Sequence, residues 1–319
     1  MDKLTVVVPV YNEEQVLETF FKRLSKILNS LDYQTEILFI NDGSRDRSLD
    51  LIRSLARKDS RVGYINLSRN FGKEAAMAAG LDHADGDVVI IIDADLQDPP
   101  ELIPDMLELW RQGYDTVYGQ RTERHGESWV KRVTAHYFYR VMQSIGRFTL
   151  PKDTGDFRLL SRRSVLALRQ LPETNRFMKG LFAWIGYPQT ALKYSRDKRF
   201  AGDSKFNYLK LWNFALDGIT SFTTIPLKMA SYLGVFIALA SFIYGVFIVI
   251  RTLIFGDPVA GFPTLITVVL FLGGVQLLFL GVLGEYLGRM FDETKRRPLY
   301  LIEEYHRSSK DDHNSVQQK

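Results

Sequence analysis

The segment Asp93-Ala94-Asp95-Leu96-Gln97 follows directly on the apolar run Val88-Val89-Ile90-Ile91-Ile92. Carboxylates at the end of a buried strand are costly unless a cation or hydrogen bonds compensate them. Two carboxylates separated by one small residue can share a hard divalent ion such as Mg2+ or Mn2+, with phosphate oxygens completing its shell. A solvated acidic turn has the same local composition, so its surroundings must decide between the two. Tyr11-Asn12-Glu13 and Asn41-Asp42 also stand immediately after strand-like runs.

The elements that carry these groups alternate. Residues 4–10, 36–40, 62–67 and 88–92 are β-branched, apolar runs that predict strands. Between them, Val16, Leu17, Phe20, Phe21, Leu24, Ile27 and Leu28 share one helical face, and Leu49, Ile52 and Leu55 mark a second helix. An Ala-rich stretch spans residues 73–84. Nearly continuous Val/Ile strands alternating with helices predict an α/β fold with a mainly parallel sheet, covered on both faces. Ligands of such sheets bind beyond the carboxyl ends of the strands, where the three polar groups converge.

The chain has 319 residues, a formal net charge of +4, no cysteine and five histidines without ligand spacing. Disulfides, thiolate chemistry and Cys-ligated zinc are excluded. The charge does not argue for nucleic acid; basic residues beside apolar surface suit anionic lipid headgroups or phosphorylated substrates. The N-terminus enters a strand pattern without a basic and then apolar leader, so no signal peptide is expected.

Residues 229–250 and 262–284 are uncharged and apolar, each about 22 residues or roughly 33 Å as helix, the thickness of a bilayer core. Lys228 precedes the first run and Arg289, Lys295, Arg296 and Arg297 follow the second, whereas the connector carries only Arg251. The positive-inside rule then places both ends of the hairpin, and the first domain, in the cytosol. Residues 128–148 and 205–220 read as amphipathic helices that either lie in the membrane interface or pack on the domain core. The expected organisation is a catalytic domain over residues 1–224, two transmembrane helices over 225–290 and a charged cytosolic tail over 291–319. Gly234, Gly273, Gly274 and Gly281 permit close helix packing, which leaves a homo-oligomer open.

Seven segments in series resemble the family-2 glycosyltransferases of the dolichol-phosphate mannosyltransferase and bactoprenol-phosphate glucosyltransferase type. They are Val8-Pro9-Val10-Tyr11-Asn12-Glu13, Asn41-Asp42-Gly43-Ser44, Asn70-Phe71-Gly72-Lys73-Glu74, Asp93 to Pro100, Gly119-Gln120-Arg121, Thr154-Gly155-Asp156-Phe157-Arg158 and Gly202-Asp203-Ser204-Lys205. The resemblance implies a GT-A fold, a nucleotide-sugar donor, inversion at the anomeric carbon and a polyprenyl phosphate acceptor in a bacterial plasma membrane. It implies that Pro9, Tyr11, Glu13, Ile40 and Asp42 cradle base and ribose. Asp93 and Ala94 would approach the nucleotide, while Asp95 and Gln97 hold Mg2+ or Mn2+ on the diphosphate. Arg121, Arg199 and Lys205 would meet donor or acceptor phosphates, with Lys131 and Arg132 on the acceptor side. Strand termination is the competing reading for Pro9 and Tyr11, and a solvated surface cation for Arg199. Asp156 is open between a base, a group that orients the acceptor or a basic side chain, and a cap on the turn after Gly155.

Charge gives the mechanism its outline. A lipid phosphate is already an anion at neutral pH, so a strong general base is less necessary than for a sugar hydroxyl. Bringing it against an anionic diphosphate is the harder task, and a metal with Arg/Lys clamps addresses it. No Gly-x-Gly-x-x-Gly follows a strand and no phosphate-loop motif is present, which removes dinucleotide oxidoreductases and P-loop NTPases. Glu173-Thr174-Asn175-Arg176-Phe177 departs from the Gln-x-x-Arg-Trp segment of processive polysaccharide synthases. The expected reaction is transfer of one hexose, with UDP-glucose as leading donor, to undecaprenyl or dolichyl phosphate. The alternatives are a GDP-mannose-using mannosyltransferase, a processive synthase, and a non-catalytic membrane protein that binds sugar nucleotides.

Overall fold

The computed structural model of the chain describes residues 2–122, 154–174, 176–194, 225–255 and 261–308. The chain divides into two compact units, Met1–Leu211 with Arg297–Lys319, and Trp212–Arg296. The expected interfacial helices near residues 128–148 and 205–220 lie outside the described residues.

The first unit is built on β1 (Lys3–Val10), β2 (Gln34–Asn41), β3 (Val62–Leu67), β4 (Val88–Ile91), β5 (Thr116–Arg121), β6 (Thr154–Ser161), β7 (Gln189–Tyr194) and β8 (Ile302–His306). They form one sheet in the order β7-β5-β6-β4-β1-β2-β3-β8. β1 pairs in parallel with β2 and β4, β2 with β3, and β5 with β7, which is the α/β arrangement expected. The helices are α1 (Leu17–Leu28), α2 (Ser48–Lys58), α3 (Lys73–His83), α4 (Ile103–Arg111), α5 (Arg162–Arg169) and α6 (Met178–Trp184).

The central strands are buried on both faces, so they lack the alternation of a half-exposed strand. On one side α1 buries Leu17, Phe20, Leu24 and Leu28 against a core containing Val6, Val8, Phe39 and Ile90. On the other, α3 buries Ala75 to Leu81 without interruption. Its small residues have a steric cause: a Cβ on Gly80 would lie 2.2 Å from Cγ1 of Val7 and 3.2 Å from Cγ1 of Ile40. The Ala-rich stretch is therefore a helix pressed close onto β1 and β2.

Two pairings join segments distant in sequence. β6 inserts antiparallel between β4 and β5. Within the stretch 291–319 expected as a charged tail, Ile302–His306 joins the edge of β3 as antiparallel β8. Its exposed, charged sequence belongs to an edge strand with a neighbour on one side only.

The second unit contains α7 (Ile225–Phe255) and α8 (Phe262–Lys295). Both are long and apolar enough to cross a membrane, with candidate spans Leu227–Tyr244 and Phe271–Lys295. Phe236, Phe242, Leu277 and Leu280 are exposed on them. Arg251, expected in the connector, lies within α7. Gly234 of α7 sits where an added Cβ would meet Phe279 of α8 at 3.6 Å.

Candidate active site

The carboxyl ends of β1, β2 and β4 are held by one web of loops. Pro9 is paired with Ile40, beyond the last residue of β4 that pairs with β1, so its missing N–H leaves no ladder bond unmade. The loop after β1 is laced to the loop after β2. Asn12 N–H donates to Ser44 Oγ (3.0 Å), Arg45 N–H to Asn12 Oδ1 (2.8 Å) and Glu13 N–H to Ser48 Oγ (2.9 Å). Asn12 has φ 55°, one of two left-handed non-glycine residues at this edge; Leu96, at φ 61°, is the other. Such conformations persist where surrounding bonds over-determine them.

Asp42 is buried at 3 % exposure and does structural work. Its carboxylate accepts from Phe71 N–H (2.7 Å), Gly72 N–H (3.0 Å) and Asn70 Nδ2 (3.1 Å). Burial pushes its carboxyl up, and the backbone donors pull it back only in part. The clamp fixes the turn into α3: Gly72 has φ 97°, and Lys73 follows as the first helical residue. Gly43 is required by the same approach, since a Cβ there would lie 2.4 Å from the carbonyl carbon of Arg69.

β4 and β6 bring the charges together. Their antiparallel register ends at the pair Ile91–Arg158, and Asp93 and Asp156 each lie two residues beyond that pair, at the same edge of the sheet. Lys73 Nζ lies between them, 2.6 Å from Asp93 Oδ2 and 2.5 Å from Asp156 Oδ2. Burial would lower the Lys73 ammonium, but the two carboxylates outweigh it and hold the pKa above the ordinary lysine value. Burial likewise opposes ionisation of Asp156; the charges of Lys73, Lys179 and Arg158 overcome it and hold that carboxyl below the usual range. Burial pushes Asp93 the other way, against the pull of Lys73.

Around this centre stand groups that sequence reasoning did not single out. Glu74 accepts a hydrogen bond from Met178 N–H (2.8 Å) at the start of α6. Burial and the neighbouring Asp156 push its carboxyl up to about 7. Arg158 is buried, donates to Gly155 O (3.1 Å) and lies 3.8 Å from the Phe182 ring centroid. Asp98 is buried and bonded to Tyr194, the register partner of Arg121. Arg121 lies over Gly155, whose added Cβ would meet its guanidinium at 2.8 Å. Lys73, Glu74, Asp98 and Arg158 were visible only as members of motif segments; Lys179 and Tyr194 carried no sequence signal. Arg121 Nε, Asp156 Oδ1 and Arg158 Nε are buried without a hydrogen-bond partner among the described residues, a pattern that a bound polar ligand would complete.

The acidic turn itself alternates. Asp93, Asp95 and Gln97 are partly exposed, while Ala94, Leu96 and Asp98 are buried. Asp95 Oδ1 accepts Gln97 N–H at 3.1 Å, which folds the turn. The outward side thus offers carboxylate and amide oxygens, the donor chemistry that suits Mg2+ or Mn2+. Among the described residues no group of three or more His, Cys, Asp and Glu side chains is arranged to hold a metal alone, so a metal here needs oxygens from substrate.

The expected site residues divide accordingly. Asp93, Asp156 and Arg121 gather at the ends of β4, β6 and β5, with Asp95 and Gln97 beside Asp93. Pro9, Tyr11 and Glu13 occupy the neighbouring end of β1, where Tyr11 is 38 % exposed. Ile40 has its side chain fully buried facing α3, where Gly80 makes room for it. Ala94 is also buried, under the turn. Lys131, Arg132, Arg199 and Lys205 lie outside the described residues.

The sequence profile "Glycosyl transferase family 2" matches residues 5–168, more than half of the chain. The chain belongs to that family. A second profile, the "GtrB C-terminal hairpin", matches residues 225–290. An uncharacterized glycosyltransferase of Synechocystis sp. is 52% identical over 94% of both chains. The bactoprenol glucosyl transferase of Shigella phage SfII is 48% identical over 96% of this chain and 99% of its own. A prophage bactoprenol glucosyl transferase homolog of Escherichia coli is 47% identical over 94% of this chain and 98% of its own. The GT-A-like sheet and the apolar helical pair are thus features of a family-2 glycosyltransferase with a GtrB-type hairpin.

Proposed function

We propose that this glycosyltransferase transfers a single hexose, with glucose from UDP-glucose as leading donor, to a polyprenyl phosphate at the cytosolic leaflet, with inversion. The observation that carries this reading is the meeting of Asp93, Lys73 and Asp156 across β4 and β6, beside Asp95 and under Arg121. The near full-length similarity to bactoprenol glucosyl transferases supports the lipid acceptor.

A phosphate oxygen of the acceptor attacks the anomeric carbon from the face opposite the diphosphate. The bond from that carbon to the diphosphate breaks, and the electron pair leaves with the nucleotide. No proton need be abstracted from the nucleophile at neutral pH. A divalent ion held by Asp95 and Gln97 would supply charge neutralisation to the departing diphosphate. Arg121, aimed past Gly155, supplies a second cation toward the phosphates. Asp156, kept ionised by its basic neighbours, orients those cations and offers its buried Oδ1 to a substrate hydroxyl. Tyr11 and Glu13 stand at the edge suited to base and ribose. Lys131, Arg132 and Lys205 are the cations expected to meet the acceptor phosphate and Arg199 the donor; all four lie outside the described residues.

The membrane reading rests on α7 and α8 and on chain connectivity. The sequences before and after the hairpin both belong to the first unit, so two crossings return the chain to one side. The basic residues flanking the hairpin favour the cytosol for that side.

The test is a donor panel. Purified protein with Mg2+ or Mn2+, radiolabelled nucleotide sugars and undecaprenyl phosphate should yield a labelled product that partitions into organic solvent. A folded sample that labels no lipid with any donor in the panel would overturn the assignment, and a preference for GDP-mannose would replace the donor.

A further inference from the structure

Lys73 reaches the centre of the site because three separate features aim it there. Asp42 grips the N–H groups of Phe71 and Gly72. Gly72 turns the chain in the left-handed region at φ 97°. α3 then starts at Lys73, facing the ends of β4 and β6. Its ammonium is bonded to one oxygen of each facing carboxylate. The pair it joins would otherwise be two like charges facing one another across the Lys73 position, an arrangement that is unfavourable at low dielectric. Its side chain is 42 % exposed, against 21 % for Asp93 and 13 % for Asp156. Its stem therefore runs along the open side while the ammonium is held between the two carboxylates, and such a flexible stem can swing away.

We infer that Lys73 is a positioning residue: an internal counter-cation that holds Asp93 and Asp156 in register while no donor is bound and keeps free divalent cations from the acidic turn. Asp93 is two residues from Asp95 on the same outward side of that turn, so a cation approaching Asp95 meets the Lys73 charge. A cation that arrives with a nucleotide diphosphate does not meet the same barrier. The diphosphate gives the ammonium an anion to turn to, and Asp93 is released to the incoming complex. The inference rests on the metal-dependent reading proposed above. It makes the order of binding, metal together with donor, a consequence of one lysine.

The experiment measures free Mn2+ by electron paramagnetic resonance during titration of the purified full chain, with and without UDP-glucose. Wild type, Lys73→Met and Lys73→Arg are compared, each checked for a cooperative thermal transition; Lys73→Gln replaces Lys73→Met if the latter does not fold. The expected result is weak Mn2+ binding by wild type without donor and clear binding with it. Without donor, Lys73→Met binds Mn2+ at least about tenfold more tightly than wild type, because two carboxylates have lost their cation. Lys73→Arg behaves as wild type. A purely structural lysine would leave metal affinity unchanged or weaken it, and that result, with donor-dependent binding intact in wild type, overturns the inference alone. Absence of Mn2+ binding by wild type even with UDP-glucose overturns the metal-dependent reading and this inference together.

Discussion

Asp93, just after β4, and Asp156, in β6, are far apart in sequence, yet the Lys73 ammonium is bonded to both. The sheet places the two carboxylates, and the Asp42-clamped turn delivers their cation.

Asp95→Ala should abolish turnover while leaving the thermal transition close to wild type. Asp95 is partly exposed, and its carboxylate accepts the N–H of Gln97 within the turn. Asp156→Asn should lower kcat by roughly 100-fold or more, the scale of a lost charged group at a reacting centre. Lipid-product formation and thermal unfolding of each variant check this. Global unfolding of Asp95→Ala would assign that residue to the fold instead.

Glu74 makes stability depend on pH. Its carboxyl, about 7 in the folded protein, lies above its unfolded value of about 4.3. Between these values the folded state holds a proton that the unfolded state has lost, so the contribution is full below about 4.3 and is lost as pH rises to about 7. Glu74→Gln keeps an acceptor for Met178 N–H and removes the titration. The Tm difference, variant minus wild type, should therefore grow from pH 5 to pH 8; a difference that is flat with pH counts against the buried carboxyl.

β8 should prove part of the catalytic unit. Glu304 bonds Arg53 and Tyr64, Tyr300 donates to Asp82 (2.9 Å), and Asn66 Nδ2 donates to Glu303 (2.8 Å). A chain ending at Arg296 exposes the edge of β3 and should lose roughly 5 °C or more in Tm, with increased self-association. Scanning calorimetry and light scattering of the truncated protein in detergent decide it. Unchanged values would return these residues to the status of a dispensable tail.

Gly43→Ala and Gly113→Ala make a matched pair. Both glycines have positive φ, but a Cβ on Gly43 collides with Arg69 and Asn70 backbone, whereas one on Gly113 meets nothing within 4 Å. Gly113→Ala should cost about 1 kcal/mol of strain. Gly43→Ala should cost clearly more and lower turnover as well, because it displaces the loop that carries Lys73. Equal effects in urea titrations would mean that the close approach is unimportant.

Much of the first half of the fold is legible in the sequence, because its information is local. Runs such as Val88 to Ile92 specify buried parallel strands, and Leu17, Phe20, Leu24 and Leu28 specify a helix face. The acidic turn after β4 and the two long apolar helices are legible for the same reason: each is a contiguous stretch with its own periodicity or composition. The tertiary structure decided what depends on register and on distant partners. Asp156 meets Asp93 only because β6 runs antiparallel to β4. Lys73 meets both only because Asp42, from another strand, fixes the start of α3. Ile40 turns its side chain to α3 because strand side chains alternate and this one points toward Gly80. Residues 302–306 have the composition of a solvated tail and become a strand because β3 offers an unpaired edge. Strand pairing is set by hydrogen bonds between segments whose separation leaves no trace in the spacing of either one, so the sequence determined the elements and the acidic turn, and the fold determined which charges share a site.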